Sequence, residues 1–128
     1  MKKQIIITNN APEPIGPYNQ AIKIDRMLFI SGQIPMTKSM VLIQNNLRKE
    51  TKQVMENLSA ILKEANMSFD DVVKTSIFMD NMDNFQIINE EYSEYFKDGN
   101  EPARETIAVK TLPKNVRVEI SMIACKGD

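Results

Sequence analysis

Apolar residues recur along this chain in two rhythms, every second position and every third or fourth, and the switches between them mark out the elements. Residues 4–8 carry the β-branched run Ile5, Ile6, Ile7, closed by Asn9 and Asn10, and predict a first strand. Residues 11–17 hold three prolines and one glycine, a stiff segment that excludes regular structure. Two strands over 21–24 and 27–31 follow, joined at Asp25-Arg26 as a hairpin that ends at Gly32. Leu47, Val54, Leu58, Ile61, Leu62 and Ala65 then fall at helical spacing, predicting a helix over 47–65 with Asn66 as a left-handed stop. Residues 72–79, rich in Val, Ile, Thr and Phe, predict a strand. A second helix over 84–97 would put Phe85, Ile88, Tyr92 and Phe96 on one face. Strands over 104–110 and 116–124, separated by a turn at Leu112-Pro113-Lys114-Asn115, complete the pattern.

The order β-β-β-α-β-α-β-β predicts a single α+β domain over 1–128, a mixed β-sheet with both helices packed on one face. The other face then needs an account. An apolar one would be buried against another subunit, a polar one would be solvated, and the pattern leaves both open.

Composition narrows the chemistry more than the fold. The chain has 16 basic and 17 acidic residues, so it carries no electrostatic footprint for a phosphate backbone and nucleic acid is not a favoured partner. No apolar run approaches the ~20 residues that cross a bilayer, and residues 1–8 do not read as a signal peptide, which predicts no membrane partner and a cytoplasmic location. Histidine is absent and Cys125 is the one cysteine. Ser-His-Asp and Cys-His nucleophile systems, an intrachain disulfide and a thiolate zinc cluster are therefore excluded. Asp70-Asp71 and Asp80, Asn81, Asp83 lack the spacing of a Ca²⁺ loop and read as turn and helix-start residues, so no metal site is expected. Any activity must come from Arg, Glu, Asp, Lys, Tyr, Ser, Thr and backbone groups.

Within that toolkit a few residues stand out. Alternation in the last strand puts Val116, Val118, Ile120, Met122 and Ala124 on one face and Arg117, Glu119, Ser121 and Ile123 on the other. Glu119 is then either an exposed strand glutamate or a partly buried carboxylate with a shifted pKa. Arg104 opens a strand behind Pro102-Ala103, and its planar fork suits a small carboxylate or, equally, a surface acid. Thr106 shares its face. Tyr18 follows the stiff proline segment, and Ser31-Gly32 ends a strand where a backbone could approach a ligand. Asn89 falls on the apolar stripe of the second helix and must find a partner, structural or ligand. Cys125 reads as a small hydrophobe at a strand end.

These residues lie in segments that together resemble the Rid (YjgF, L-PSP) family: APEPIGPYNQAI at 11–22, ISGQIP at 30–35, MENLSAILKEA at 55–65, DVVKTSIFMDNMDNF at 71–85, PAR at 102–104 and LPKNVRVEISMIA at 112–124. The resemblance runs in register over nearly the whole chain. It implies a chorismate-mutase-like α+β fold and a homotrimer with ligand clefts between subunits. It also implies a 2-iminobutanoate/2-iminopropanoate deaminase that hydrolyses 2-aminoacrylate, 2-iminopropionate and related imines to 2-keto acids and ammonia without a cofactor. Arg104 would bind the substrate carboxylate and Glu119 would place or activate the water. Tyr18, Ser31, Gly32, Asn89 and Thr106 would line the cleft. Two departures stand out: Thr106 occupies a position that is cysteine in many members, and residues 36–46 lack the usual glycine turn. The rival expectations are a trimeric 2-keto-acid-binding or regulatory protein without turnover and, behind it, a ribonuclease or translation inhibitor.

Overall fold

The computed structural model describes residues 1–127, and its elements follow in the predicted order. β1 (Gln4–Ile6), β2 (Ala21–Ile24), β3 (Met27–Gln33), α1 (Leu47–Glu64), β4 (Val72–Met79), α2 (Phe85–Ser93), β5 (Ala103–Ala108) and β6 (Val118–Cys125) build one sheet and one helical layer. The strand order is β1-β2-β3-β6-β4-β5. Only β4 and β5, linked through α2, run parallel; the other neighbours are antiparallel, so the sheet is mixed with β5 at one edge. No helix among the described residues is long and apolar enough to cross a membrane.

Helix α1 forms because its start is capped and one stripe is apolar. The Asn46 side chain accepts a hydrogen bond from Lys49 N at 3.0 Å, and Glu50 accepts one from Asn46 N at 3.1 Å, which satisfies two donors that a helix start leaves over. Val54, Met55, Leu58, Ile61 and Leu62 are fully buried, and each such side chain stabilises the fold by about 1.5–3 kcal/mol. Asn66, at φ 59°, ends the helix in the left-handed conformation the sequence predicts. The partner surface is β6, where Val118, Ile120, Met122 and Ala124 are buried beneath the helix and Glu119, Ser121, Ile123 and Cys125 alternate onto the opposite face. Helix α2 packs beside α1, and Tyr92 donates from its hydroxyl to Thr75 of β4 at 3.0 Å.

The face away from the helices is of two kinds. Ile5, Phe29 and Ile107 lie exposed on it, while Lys74 and Glu105 form an ion pair at 2.8 Å beside Ser76. It matches neither a wholly apolar nor a wholly solvated face.

Element ends differ from the sequence pattern for identifiable reasons. The second helix stops at Ser93 rather than 97, because beyond it the backbone tightens to three-residue turns, Tyr95 N to Tyr92 O and Phe96 N to Ser93 O, while both rings pack on Phe69 with centroids 5.5 and 5.4 Å away. The last strand starts at Val118 rather than 116, since Lys114 and Asn115 both take left-handed backbone (φ 60° and 56°) just before it. The penultimate strand ends at Ala108 rather than 110, although Val109 N still donates to Met79 O at 2.8 Å. In the glycine-free segment 36–46 the turn is made by Met40 at φ 66° and Asn45 at φ 64°, a conformation that costs a β-carbon-bearing residue roughly 1–2 kcal/mol. An isolated bridge between Met36 and Leu42 closes that loop.

Candidate functional site

Strand β3 carries a register shift between Ile30 and Gln33, where Ser31 N donates to Gln20 O at 2.9 Å on the β2 side and Gly32 faces Glu119 of β6. This opens a pocket of about 330 Å³ between the proline-rich segment and the end of the sheet. Its polar floor is Ser31, Gly32, Gln33 and Glu119, and its walls are Pro12, Pro14, Ile15, Tyr18, Ile34, Met36 and Pro113. Glu119 is half-buried, and burial pushes its carboxyl above the ordinary carboxylate range. Among the described residues it has no hydrogen-bond or ion-pair partner. The alternative left open by the sequence is thereby settled in favour of a partly buried, desolvated acid.

Gly32 is glycine because of that acid. A β-carbon there would lie 2.8 Å from Glu119 Cδ and 3.0 Å from Cγ, and would overlap the carboxylate itself. The backbone at Gly32 is not left-handed, so the conflict is one of space alone. Gly32→Ala is accordingly expected to push the Glu119 side chain aside at a stability cost of about 1 kcal/mol or less, since the atoms it meets are the free end of a side chain with no partner among the described residues. By displacing Glu119 it should also lower turnover on the order of 10- to 100-fold, since misplacement by about 1 Å can cost that much. Urea unfolding alongside steady-state kinetics checks both; parent values in each would show that the carboxylate position is immaterial.

The walls are held by buried amides. Gln20, 3% exposed, accepts from Thr8 N at 2.8 Å and donates to Thr8 O and Pro12 O at 3.1 and 3.0 Å, stapling the proline segment to β2. The Tyr18 hydroxyl accepts from Ile15 N at 3.2 Å, so the segment wraps its own phenol. Ser31 donates to Asn19 O at 2.6 Å. Asn57, buried inside the α1 stripe, donates to Ile34 O and Met36 O at 3.2 and 2.9 Å and fixes the far wall. Sequence reading misses Gln20, Gln33 and Asn57. The available signal is an amide interrupting an apolar stretch, the same signal that singles out Asn89.

Arg104 lies elsewhere. It pairs in register with Thr75, which in turn pairs with Met122 of the core, so it projects on the helical side of the sheet at the β5 edge. There its Nη1 donates to Asn89 Oδ1 at 2.8 Å, which gives the half-buried amide of the apolar stripe its partner. Its guanidinium carbon sits 5.1 Å from the Tyr92 ring centroid and 5.8 Å from that of Phe85. No carboxylate among the described residues pairs with it. Glu119 pairs with Phe78 and projects from the opposite face, in a strand whose flanking residues Val118 and Ile120 are core. Tyr18, Ser31 and Gly32 thus gather around Glu119, Asn89 gathers around Arg104, and among the described residues no pocket of one chain holds both groups. Arg117, placed by alternation with Glu119, turns instead to an ion pair with the buried Glu50.

Thr106 shares the Arg104 face, as alternation predicts, but its hydroxyl is sealed from solvent and has no hydrogen-bond partner among the described residues. An orphan buried hydroxyl costs about 1–3 kcal/mol. Thr106→Val, which keeps the shape, is expected to leave stability unchanged or raise it by about 1 kcal/mol in thermal unfolding. A clear loss would mean that the hydroxyl finds a partner in an assembly.

The chain is similar to known proteins over almost its full length. The family model described as Endoribonuclease L-PSP matches residues 8–126. A human 2-iminobutanoate/2-iminopropanoate deaminase is 42% identical over 126 residues, covering 98% of this chain and 91% of that protein. Among solved structures, a Rid family protein of unknown function from Yersinia pestis superposes with a TM-score of 0.94 at 44% identity, covering 98% of this chain and 100% of that one. The E. coli protein TdcF, solved with bound serine, gives 0.91 at 35% identity, covering 97% and 99%. Sequence, family model and fold agree along the same span, and the chain belongs to the Rid (YjgF, L-PSP) family.

Proposed function

We propose that this protein is an enamine/imine deaminase, hydrolysing 2-aminoacrylate, 2-iminopropionate and related imines to 2-keto acids and ammonia. The observation that carries this reading is a pair of charged groups with no opposite charge beside either among the described residues. Among the described residues Arg104 is a cation held by neutral contacts alone, and Glu119 is a half-buried carboxyl with no hydrogen-bond or ion-pair partner, on opposite faces of one sheet. Groups so arranged meet in a single cleft only if a second copy supplies one of them. The exposed Ile5, Phe29 and Ile107 on the face away from the helices are the apolar surface that such an assembly would cover, and a homotrimer with three clefts is the form we propose. The names of the human relative and of serine-bound TdcF support a small amino- or imino-acid-derived ligand.

In that cleft Arg104 would grip the substrate carboxylate with two parallel N–H···O bonds. The imine carbon is already electrophilic. Glu119, ionised, takes a proton from water as the oxygen bonds to that carbon. It passes that proton to nitrogen, giving a carbinolamine, and then carries the remaining hydroxyl proton to nitrogen as the C–N bond breaks, leaving a keto acid and ammonia. A half-buried carboxyl with a raised pKa suits both halves of this transfer. Tyr18, Ser31, Gly32, Asn89 and Thr106 would line the cleft around these two, Thr106 through its main chain.

The test adds the purified protein to a pyridoxal-phosphate-dependent serine or threonine dehydratase and times keto-acid release. Accelerated release that disappears in Arg104→Ala is expected. Binding of 2-oxobutanoate with no acceleration would instead identify a keto-acid-binding or regulatory protein. The endoribonuclease of the family description receives no support from this chain, which has no histidine and a net charge of −1.

A further inference from the structure

An arginine on a surface strand ordinarily meets a carboxylate; Arg104 meets a stripe of α2 instead. Phe85, Asn89 and Tyr92 are spaced i, i+4 and i+7 along that helix, so they form one ridge under the guanidinium. Each member of the ridge is neutral. Asn89 offers an acceptor oxygen, and the two rings offer π faces at 5.8 and 5.1 Å, which attract a cation without cancelling its charge.

Tyr92 is placed independently of the arginine. It is 5% exposed, its hydroxyl is committed to Thr75, and its ring packs on Phe96 at 4.8 Å. Thr75 is also the residue in register with Arg104. One buried threonine therefore fixes both the ring and the strand position of the guanidinium above it. Phe85 differs: at 38% exposed, on the first turn of α2, it contributes little to the core. Its one evident task is to flank the guanidinium.

We infer that Phe85 and Tyr92 are positioning residues that hold the Arg104 guanidinium in place while leaving its charge free for an incoming carboxylate. The inference rests on the functional reading above, in which Arg104 is the anchor. It makes ligand affinity a property of the α2 ridge as well as of the arginine. An acid in the ridge would hold the guanidinium equally well but would compete with the ligand, which is why the neutrality of Asn89 matters.

The experiment measures 2-oxobutanoate binding to the assembled protein by calorimetry, together with kcat and KM for imine hydrolysis. Phe85→Leu is expected to weaken binding about 2- to 30-fold, the range for loss of one cation–π contact, with the loss in KM and kcat retained. Phe85→Tyr restores a ring and should restore affinity. Asn89→Asp, which keeps the tether but neutralises the charge, should weaken binding at least as much without loss of folding. Phe85→Met keeps apolar bulk without a π face and should weaken binding as Phe85→Leu does, which supplies a second reading if Phe85→Leu fails to fold. Parent affinity in both Phe85→Leu and Asn89→Asp, with affinity lost in Arg104→Ala, would overturn the inference and leave the functional reading intact. Parent affinity in Arg104→Ala would overturn both.

Discussion

Arg104→Ala is expected to abolish the acceleration of keto-acid release, lowering kcat/KM on the order of 10²- to 10⁴-fold. The magnitude follows from two charge-assisted hydrogen bonds to a carboxylate at about 1.5–3 kcal/mol each. It also follows from geometry, since an imine that tumbles in the cleft presents its carbon to the water only occasionally. Arg104→Lys should recover little of the loss. An ammonium cannot make the two parallel bonds, and it would lose the flat contacts with Phe85 and Tyr92. Folding should survive either change, because Arg104 holds no ion pair among the described residues and lies at an edge strand. Steady-state kinetics of the coupled dehydratase reaction, with circular dichroism to verify the fold, checks this. An alanine variant that still accelerates release would remove the arginine from the reaction altogether.

Parts of this arrangement are legible in the sequence and others are hidden for physical reasons. Helix α1 can be read almost to the residue because a single apolar stripe and a left-handed Asn66 agree, while its Asn46 cap emerges only in the structure. The alternation of β6 is equally clear, and by itself it puts Glu119 and Met122 on opposite faces. What periodicity cannot convey is register. That Thr75 aligns with Arg104 while Phe78 aligns with Glu119 depends on how three strands meet, and it is this that sets the two groups apart. The partner in a close approach is hidden for the same reason: the sequence offers Gly32 as a strand end where a backbone could approach a ligand, whereas its lack of a side chain makes room for a carboxylate 87 residues further along the chain. The α2 stripe misleads in another way, since Phe96 continues the apolar spacing while the backbone beneath it has already tightened from helix to turn.

Glu119→Gln is expected to separate function from stability. Activity should fall about 10²- to 10⁴-fold, the usual contribution of one acid/base group, because the amide can still hold a water but cannot take its proton. The ascending limb of kcat/KM against pH, placed above the ordinary glutamate range in the parent by burial of the carboxyl, should vanish with it. Stability should move the opposite way. A carboxyl whose pKa is raised on folding binds its proton more tightly in the native chain than in the unfolded one, so its stabilising contribution is fully present at low pH. That contribution is lost as pH rises from the ordinary glutamate value through the raised one, and above it the native state carries a desolvated charge with no partner among the described residues. A neutral amide at this position would remove that burden, and the variant should unfold at the same or a higher temperature than the parent at neutral pH, with the difference disappearing toward about pH 4, where the parent carboxyl is protonated. Thermal unfolding across this range together with the rate profile decides the matter. A variant that is both inactive and less stable at neutral pH would mean that Glu119 is tied into the fold by a partner in the assembled protein, and that its isolation in one chain is not what equips it for proton transfer.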